Sequence, residues 1–250
     1  MSTILKITKR ELMGYFTTPI GYVFIIVFLP FLWYMVFQKN DFFALQNASM
    51  DTVFSTMPLI FLLFIPAVGM RLWSEERRTG TIEILLTLPI SIAQATIGKF
   101  LAAWIFILIT ILSTLTFVVS LNNLGSPDNG VIFANYIGIT FVAGAFLSIA
   151  SFTSALTKNQ VISLILSFLL SFGILFLGDP GVLEVCKAIA GYLHLPVNPV
   201  IDFVGSFGFY GHMINLQKGI IDSRDIIFFI SFISVMIYLN ILLINKQKAK

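Results

Sequence analysis

Charge is what this sequence has least of. Only 11% of its 250 residues are Asp, Glu, Lys or Arg, 58% are hydrophobic, and the mean hydropathy is +0.96. A soluble domain carries about 25% charged and roughly 45–50% apolar residues, so the balance excludes a soluble protein. The net charge is only +3, and the basic residues stand near the ends of apolar runs rather than in a cluster, which leaves no nucleic-acid-binding patch. Cysteine occurs once, as Cys186, which rules out an internal disulfide and a Cys-based zinc cluster. The two histidines, His194 and His212, share a stretch with Glu184 and Asp202 but lack ligand spacing. A metal or catalytic site there is the weaker reading, and plain polar residues the stronger. No GxxxxGK[ST] loop, GxSxG or HExxH motif is present. The chain is therefore expected to carry no cofactor of its own and not to hydrolyse ATP by that loop. The N-terminus lacks a short apolar core with a small-residue cleavage site, so no cleaved signal peptide is expected.

What is there is long apolar runs, with Phe alone occurring 26 times. Residues 3–16 place Lys6, Lys9 and Arg10 on one helical face and Ile4, Leu5, Ile7, Leu12, Tyr15 and Phe16 mostly opposite, with Glu11 the exception. That pattern describes an interfacial amphipathic helix facing anionic headgroups, or an ordinary amphipathic leader. Spans are expected at about 20–37, 53–73, 92–121, 131–156, 161–177 and 226–244. The second contains Pro58 and Pro66, which membrane helices tolerate. The third opens on Ser91 and Gln94 in capping-box spacing, with Lys99 near its start able to snorkel to the headgroups. Gly144, Ser148, Ser151 and Ala155 give the fourth span a small-residue face for close helix approach. Ser163, Ser167 and Ser171 repeat every fourth residue in the fifth, as a wall of a transport path or as interhelical hydrogen bonding. Residues 178–224, rich in Gly and Pro yet still apolar, predict short amphipathic or re-entrant helices against the membrane face.

The fold class is thus an all-α integral membrane protein with six transmembrane helices, forming one domain over residues 1–250. Lys6, Lys9, Arg10, Arg71, Arg77, Arg78, Lys99, Lys158, Lys246, Lys248 and Lys250 fall on one side. Lys39 stands on the other, with Lys187, Lys218 and Arg224 in the long last loop, which weighs less. The positive-inside rule puts both termini and the 71–91 segment in the cytoplasm.

That segment is the one dense island of charge. Ionised groups at the centre of a bilayer cost about 2.5–3.5 kcal/mol each on insertion scales. Glu75, Glu76, Arg77 and Arg78 in lipid would cost on the order of 10 kcal/mol together, so the island lies in water. Gly80 interrupts the helix leaving span 2, and Thr81 is a reasonable N-cap for a second short helix. Glu83 suits the first turn of that helix, and Pro89 ends it. The result is a helix of about two turns over residues 82–88, inside a coupling region over 75–89, with two spans attached as levers, or a solvated loop that fixes topology. The span interiors are almost free of ionisable groups, so an ion- or proton-coupled relay is absent and energy for any transport arrives from outside the bilayer.

The run from Met70 to Pro89, with its Glu-Glu-Arg-Arg-x-Gly-Thr-x-Glu-x-Leu-Leu motif, followed by Gly98-Lys99-Phe100-Leu101-Ala102-Ala103, resembles the ABC-2 class of ABC transporter permeases. Pro19 to Val23, Pro127 to Gly130, Ala155 to Gln160 and Gly219 to Asp225 also look like that class, closest to its gliding-motility GldF and NosY-like group. The resemblance implies six spans, an N-terminal interfacial helix, a cytoplasmic coupling helix between spans 2 and 3, and small extracytoplasmic helices before span 6. It implies two permease subunits, identical or related, working with two ATP-binding subunits on separate chains, where ATP and Mg would bind. Carried over by position, Glu75, Glu76, Arg77, Arg78, Gly80, Thr81 and Glu83 would face the ATPase. The expected role is a permease subunit in a bacterial inner membrane, in contact with membrane lipids and not with nucleic acid. The rival is a non-transporting membrane anchor of a cell-envelope complex, such as gliding machinery. An intramembrane enzyme is disfavoured by the uncharged spans.

Overall fold

The computed structural model describes residues 3–39, 49–87, 89–192, 196–217, 219–220 and 222–248. Helices follow one another as α1 (Thr3–Thr17), α2 (Pro19–Tyr34, continued by a π-helical turn Met35–Lys39), α3 (Asp51–Gly69), α4 (Arg71–Thr79), α5 (Thr81–Thr87), α6 (Ile92–Leu112) and α7 (Leu115–Leu124). They continue as α8 (Asn129–Leu156), α9 (Gln160–Phe176), α10 (Pro180–Tyr192), α11 (Val197–Phe207), α12 (Phe209–Gln217) and α13 (Ser223–Lys248). No strand occurs among the described residues. Gly21–Gln38, Asp51–Thr79, Ile92–Asn123, Asn129–Leu156 and Ser223–Lys246 are long and apolar enough to cross a bilayer. At 17 residues, α9 sits at the short limit for a span, and α10 departs from it at 84°. The all-α membrane architecture expected from the sequence is the one observed.

Local chemistry sets the helix ends. Pro19 occupies a first-turn position, where its missing N–H costs nothing. Ser91 and Gln94 form both bonds of a capping box, each 3.1 Å, at the start of α6. Asp128 caps α8 through Gly130 N–H and Val131 N–H, and Asn159 caps α9 through Val161 N–H. The α3 helix runs through Pro58 and Pro66 unbroken. Where one helix over 92–121 is expected, α6 and α7 are separated at Ser113 and Thr114. The hydroxyls of both residues donate back to Thr110 and Ile111 carbonyls, at 2.6 and 2.7 Å, and such back-bonding bends helices. Thr114 also meets Tyr136 Oη of α8 at 2.7 Å, which holds the bend.

The α8 helix is the hub, packed by α3, α4, α6, α9, α12 and α13. Its small face, Gly144, Ser148, Ser151 and Ala155, is buried as expected. Small residues also let α3 press against it: a Cβ placed on Gly69 would stand 2.3 Å from that of Ala150. Asn240 of α13 donates to Ser151 Oγ at 2.7 Å, and Phe209 of α12 wedges among Phe146, Phe229 and Phe232. At the other end α1 lies along α6. Thr8 Oγ1 donates to Gly98 O at 3.2 Å, Ile7 is buried, and Lys6, Lys9 and Arg10 stay exposed.

Candidate functional site

The island folds as a braced elbow. The α4 helix leaves α3 after a single turn residue, Met70, whose N–H still bonds Pro66 O at 2.8 Å. Met70 offers no side-chain cap, so the first N–H groups of α4 need another acceptor. Ser154 of α8 supplies it. Its Oγ accepts from Trp73 N–H and Ser74 N–H at 3.0 Å each and donates to Met70 O at 2.7 Å. One turn further, the Arg77 guanidinium donates to Ala155 O in the last turn of α8, where a cation is electrostatically favoured. Both contacts tie α4 to the end of the hub helix.

A second brace comes from α6. Lys99, expected to reach the headgroups, instead points inward and is 4% exposed. Its Nζ stands 2.7 Å from Glu76 Oε1, 3.7 Å from Glu11 Oε2 and 5.3 Å from the centre of the Trp73 ring. Trp73 and Glu76 occupy one face of α4 and Glu11 faces them from α1, so the inward rotamer replaces water with two carboxylates and a ring. Three helices distant in sequence are joined by this one ammonium. Tyr15 of α1 closes the edge, stacked on Phe106 at 4.8 Å. Burial first, and then the Glu11 carboxylate, push its phenol well above the usual range, so it stays neutral.

The outer turn of the elbow is open to solvent. The α4 helix ends on Gly80 at φ 77°, a left-handed cap that glycine adopts without steric cost. Thr79 Oγ1 bridges the turn to Thr81 Oγ1 at 2.9 Å. Thr81 then opens α5, whose first turn carries Glu83. Of the residues singled out by motif, Arg78, Gly80, Thr81 and Glu83 are exposed together. Glu76 and Arg77 turn inward to Lys99 and Ala155, and Glu75 lines a cavity beside α1 together with Glu11, Arg71 and Lys99. Leu88 lies outside the described residues.

The other singled-out residues sit elsewhere. Ser163, Ser167 and Ser171 are 0% exposed, on α9, which packs on α8 and α3, and their hydroxyls find no hydrogen-bond partner among the described residues. His194 lies outside the described residues. His212 meets neither Glu184 nor Asp202 in a hydrogen bond but pairs through Nδ1 with Asp225 Oδ1 at 2.6 Å, stacks on Phe228 and so fastens α12 to the start of α13. Sequence reasoning missed Ser154 and the inward Lys99, since neither has a local partner to announce it.

The family model described as ABC-2 family transporter protein matches residues 12–249. No curated protein matches the chain.

Proposed function

The chain belongs to the ABC-2 transporter family, and from that premise we propose that it is the permease subunit of an ATP-driven transporter, powered by an ATP-binding subunit on a separate chain. The observation that carries this reading is the elbow: an exposed polar turn, Arg78 to Glu83, fixed to α8 and α6 by buried polar contacts. A push on that turn is delivered to the hub helix through Ser154 and Ala155, to α6 through Lys99 and to α1 through Glu11. In this reading Arg78, Thr81 and Glu83 touch the ATPase, with Gly80 shaping the turn, while Glu76 and Arg77 hold the elbow at its angle. Glu75 stands at the edge.

The same reading puts the island and both termini in the cytoplasm of a bacterial inner membrane, ATP and Mg in the partner chain, and a second permease, identical or related, alongside. Kinship with the GldF and NosY-like group rests on the motif residues. The serine stripe 163, 167 and 171 joins the transport path only if the seam of α9 with α8 and α3 opens during the cycle. A membrane anchor using the same turn is the competing reading. Reconstitution with the ATP-binding chain separates them: transport-linked ATP turnover supports the permease, whereas full cellular function with a hydrolysis-dead ATPase supports the anchor.

A further inference from the structure

Beside the elbow, an apolar cleft of about 350 Å³ runs between α2, α3 and α6, walled by Val23, Phe24, Val27, Leu63, Ala67 and Phe106. Its volume falls within the range of ligand clefts, about 300–1,000 Å³. Val23, Val27 and Leu63 are exposed, so the cleft opens sideways on the apolar flank of helices long enough to cross a bilayer. Its polar end is shared with a second cavity of about 190 Å³, since Tyr15 and Arg71 line both, and Glu11, Glu75 and Lys99 complete the second. An apolar slot with a charged mouth fits an amphipathic ligand.

The charges at the mouth define its headgroup. Lys99 is taken up by Glu76 and Glu11, and Glu11 also by Arg10 at 2.6 Å. Arg71 and Glu75 form no ion pair among the described residues, and Arg71 Nε is buried without a hydrogen-bond partner. The two stand one helical turn apart, neighbours on the face of α4. A guanidinium and a carboxylate side by side, neither held in a direct ion pair, complement a zwitterion. Arginine favours phosphate through its planar fork of donors, and the carboxylate accepts from an ammonium that carries N–H groups. The neutral Tyr15 phenol adds a polar group at the junction of the two cavities.

We propose that the two cavities are one site for an aminophospholipid of the phosphatidylethanolamine type, with an acyl chain in the cleft, phosphate on Arg71 and ammonium on Glu75. The site joins α2, α3 and α6, which wall the cleft, to α4, which carries Arg71 and Glu75, and does not depend on the ATP-driven reading. The test is native mass spectrometry of the purified chain with phosphatidylethanolamine, phosphatidylcholine or phosphatidylglycerol of the same acyl composition. Phosphatidylethanolamine is expected to be retained about tenfold better than either, the worth of one hydrogen bond to a charged group. Arg71→Gln and the cleft-filling Ala67→Phe are each expected to abolish that retention. Glu75→Gln, at an exposed position, is expected to shift preference to phosphatidylglycerol. Equal retention of the three lipids by the native chain overturns the proposal, as does retention unchanged in both Arg71→Gln and Ala67→Phe. Retention confined to the monomer, with Ala67→Phe breaking a dimer, assigns the cleft to a second copy and overturns it too.

Discussion

Lys99 of α6 and Glu76 of α4 meet at 2.7 Å with Lys99 almost wholly buried, so the charged island is anchored inside the protein as well as displayed outside it. Breaking a buried pair leaves the survivor uncompensated, at a cost of about 3–5 kcal/mol, whereas replacing both partners by apolar groups is often neutral. Lys99→Met is therefore expected to lower the unfolding temperature in detergent sharply, and Lys99→Met with Glu76→Leu to regain most of the loss. Equal losses in the single and double variants would show that the pair contributes no such coupling.

Ser154→Ala removes the acceptor shared by Trp73 N–H and Ser74 N–H. Leaving buried donors unpaired costs about 1–3 kcal/mol. Hydrogen exchange read at the amides of α4 is expected to quicken, with α13 unchanged. Protection of α4 equal to that of the native chain contradicts the brace.

Gly69→Ala puts a methyl where the Ala150 methyl already stands. Overpacking of this kind costs about 1–3 kcal/mol. Adding Ala150→Gly vacates the same space and is expected to restore stability in thermal unfolding. A double variant no better than Gly69→Ala would place the strain elsewhere.

Much of this architecture was legible because its signals are local. Apolar run length announces the spans, and the Ser91–Gln94 capping box announces itself within four residues. The break at Ser113 and Thr114 had a signal too, two adjacent hydroxyls in an apolar run, but run length alone argued for one helix. The island was marked by charge density and its coupling candidates by the resemblance of the motif, and both give Glu76 and Arg78 the same weight. Only the packing separates them, because Lys99 and Glu11 reach Glu76 from other helices while Arg78 stays exposed. Lys99 sits near a span end, where snorkelling is the usual outcome, and its inward partners become visible only once α1 and α4 are placed.

The serine stripe gives a conditional prediction. With no partner for its hydroxyl, Ser167→Ala is expected to leave stability unchanged or raised, since an unpaired buried hydroxyl costs free energy. In a Cys186→Ser background, Ser167→Cys is expected to resist thiol reagents at rest and to react during ATP turnover with the partner chain. Labelling at rest contradicts the burial, and protection throughout turnover removes the stripe from the transport path.

The central claim is that the exposed turn after α4 is where the ATP-binding chain docks. A photo-crosslinking amino acid placed at Arg78, with a control at Lys187 on α10, tests it in intact cells. A crosslink to the ATP-binding chain is predicted from position 78 and none from position 187. No crosslink from position 78, or an equal yield from both positions, would contradict it.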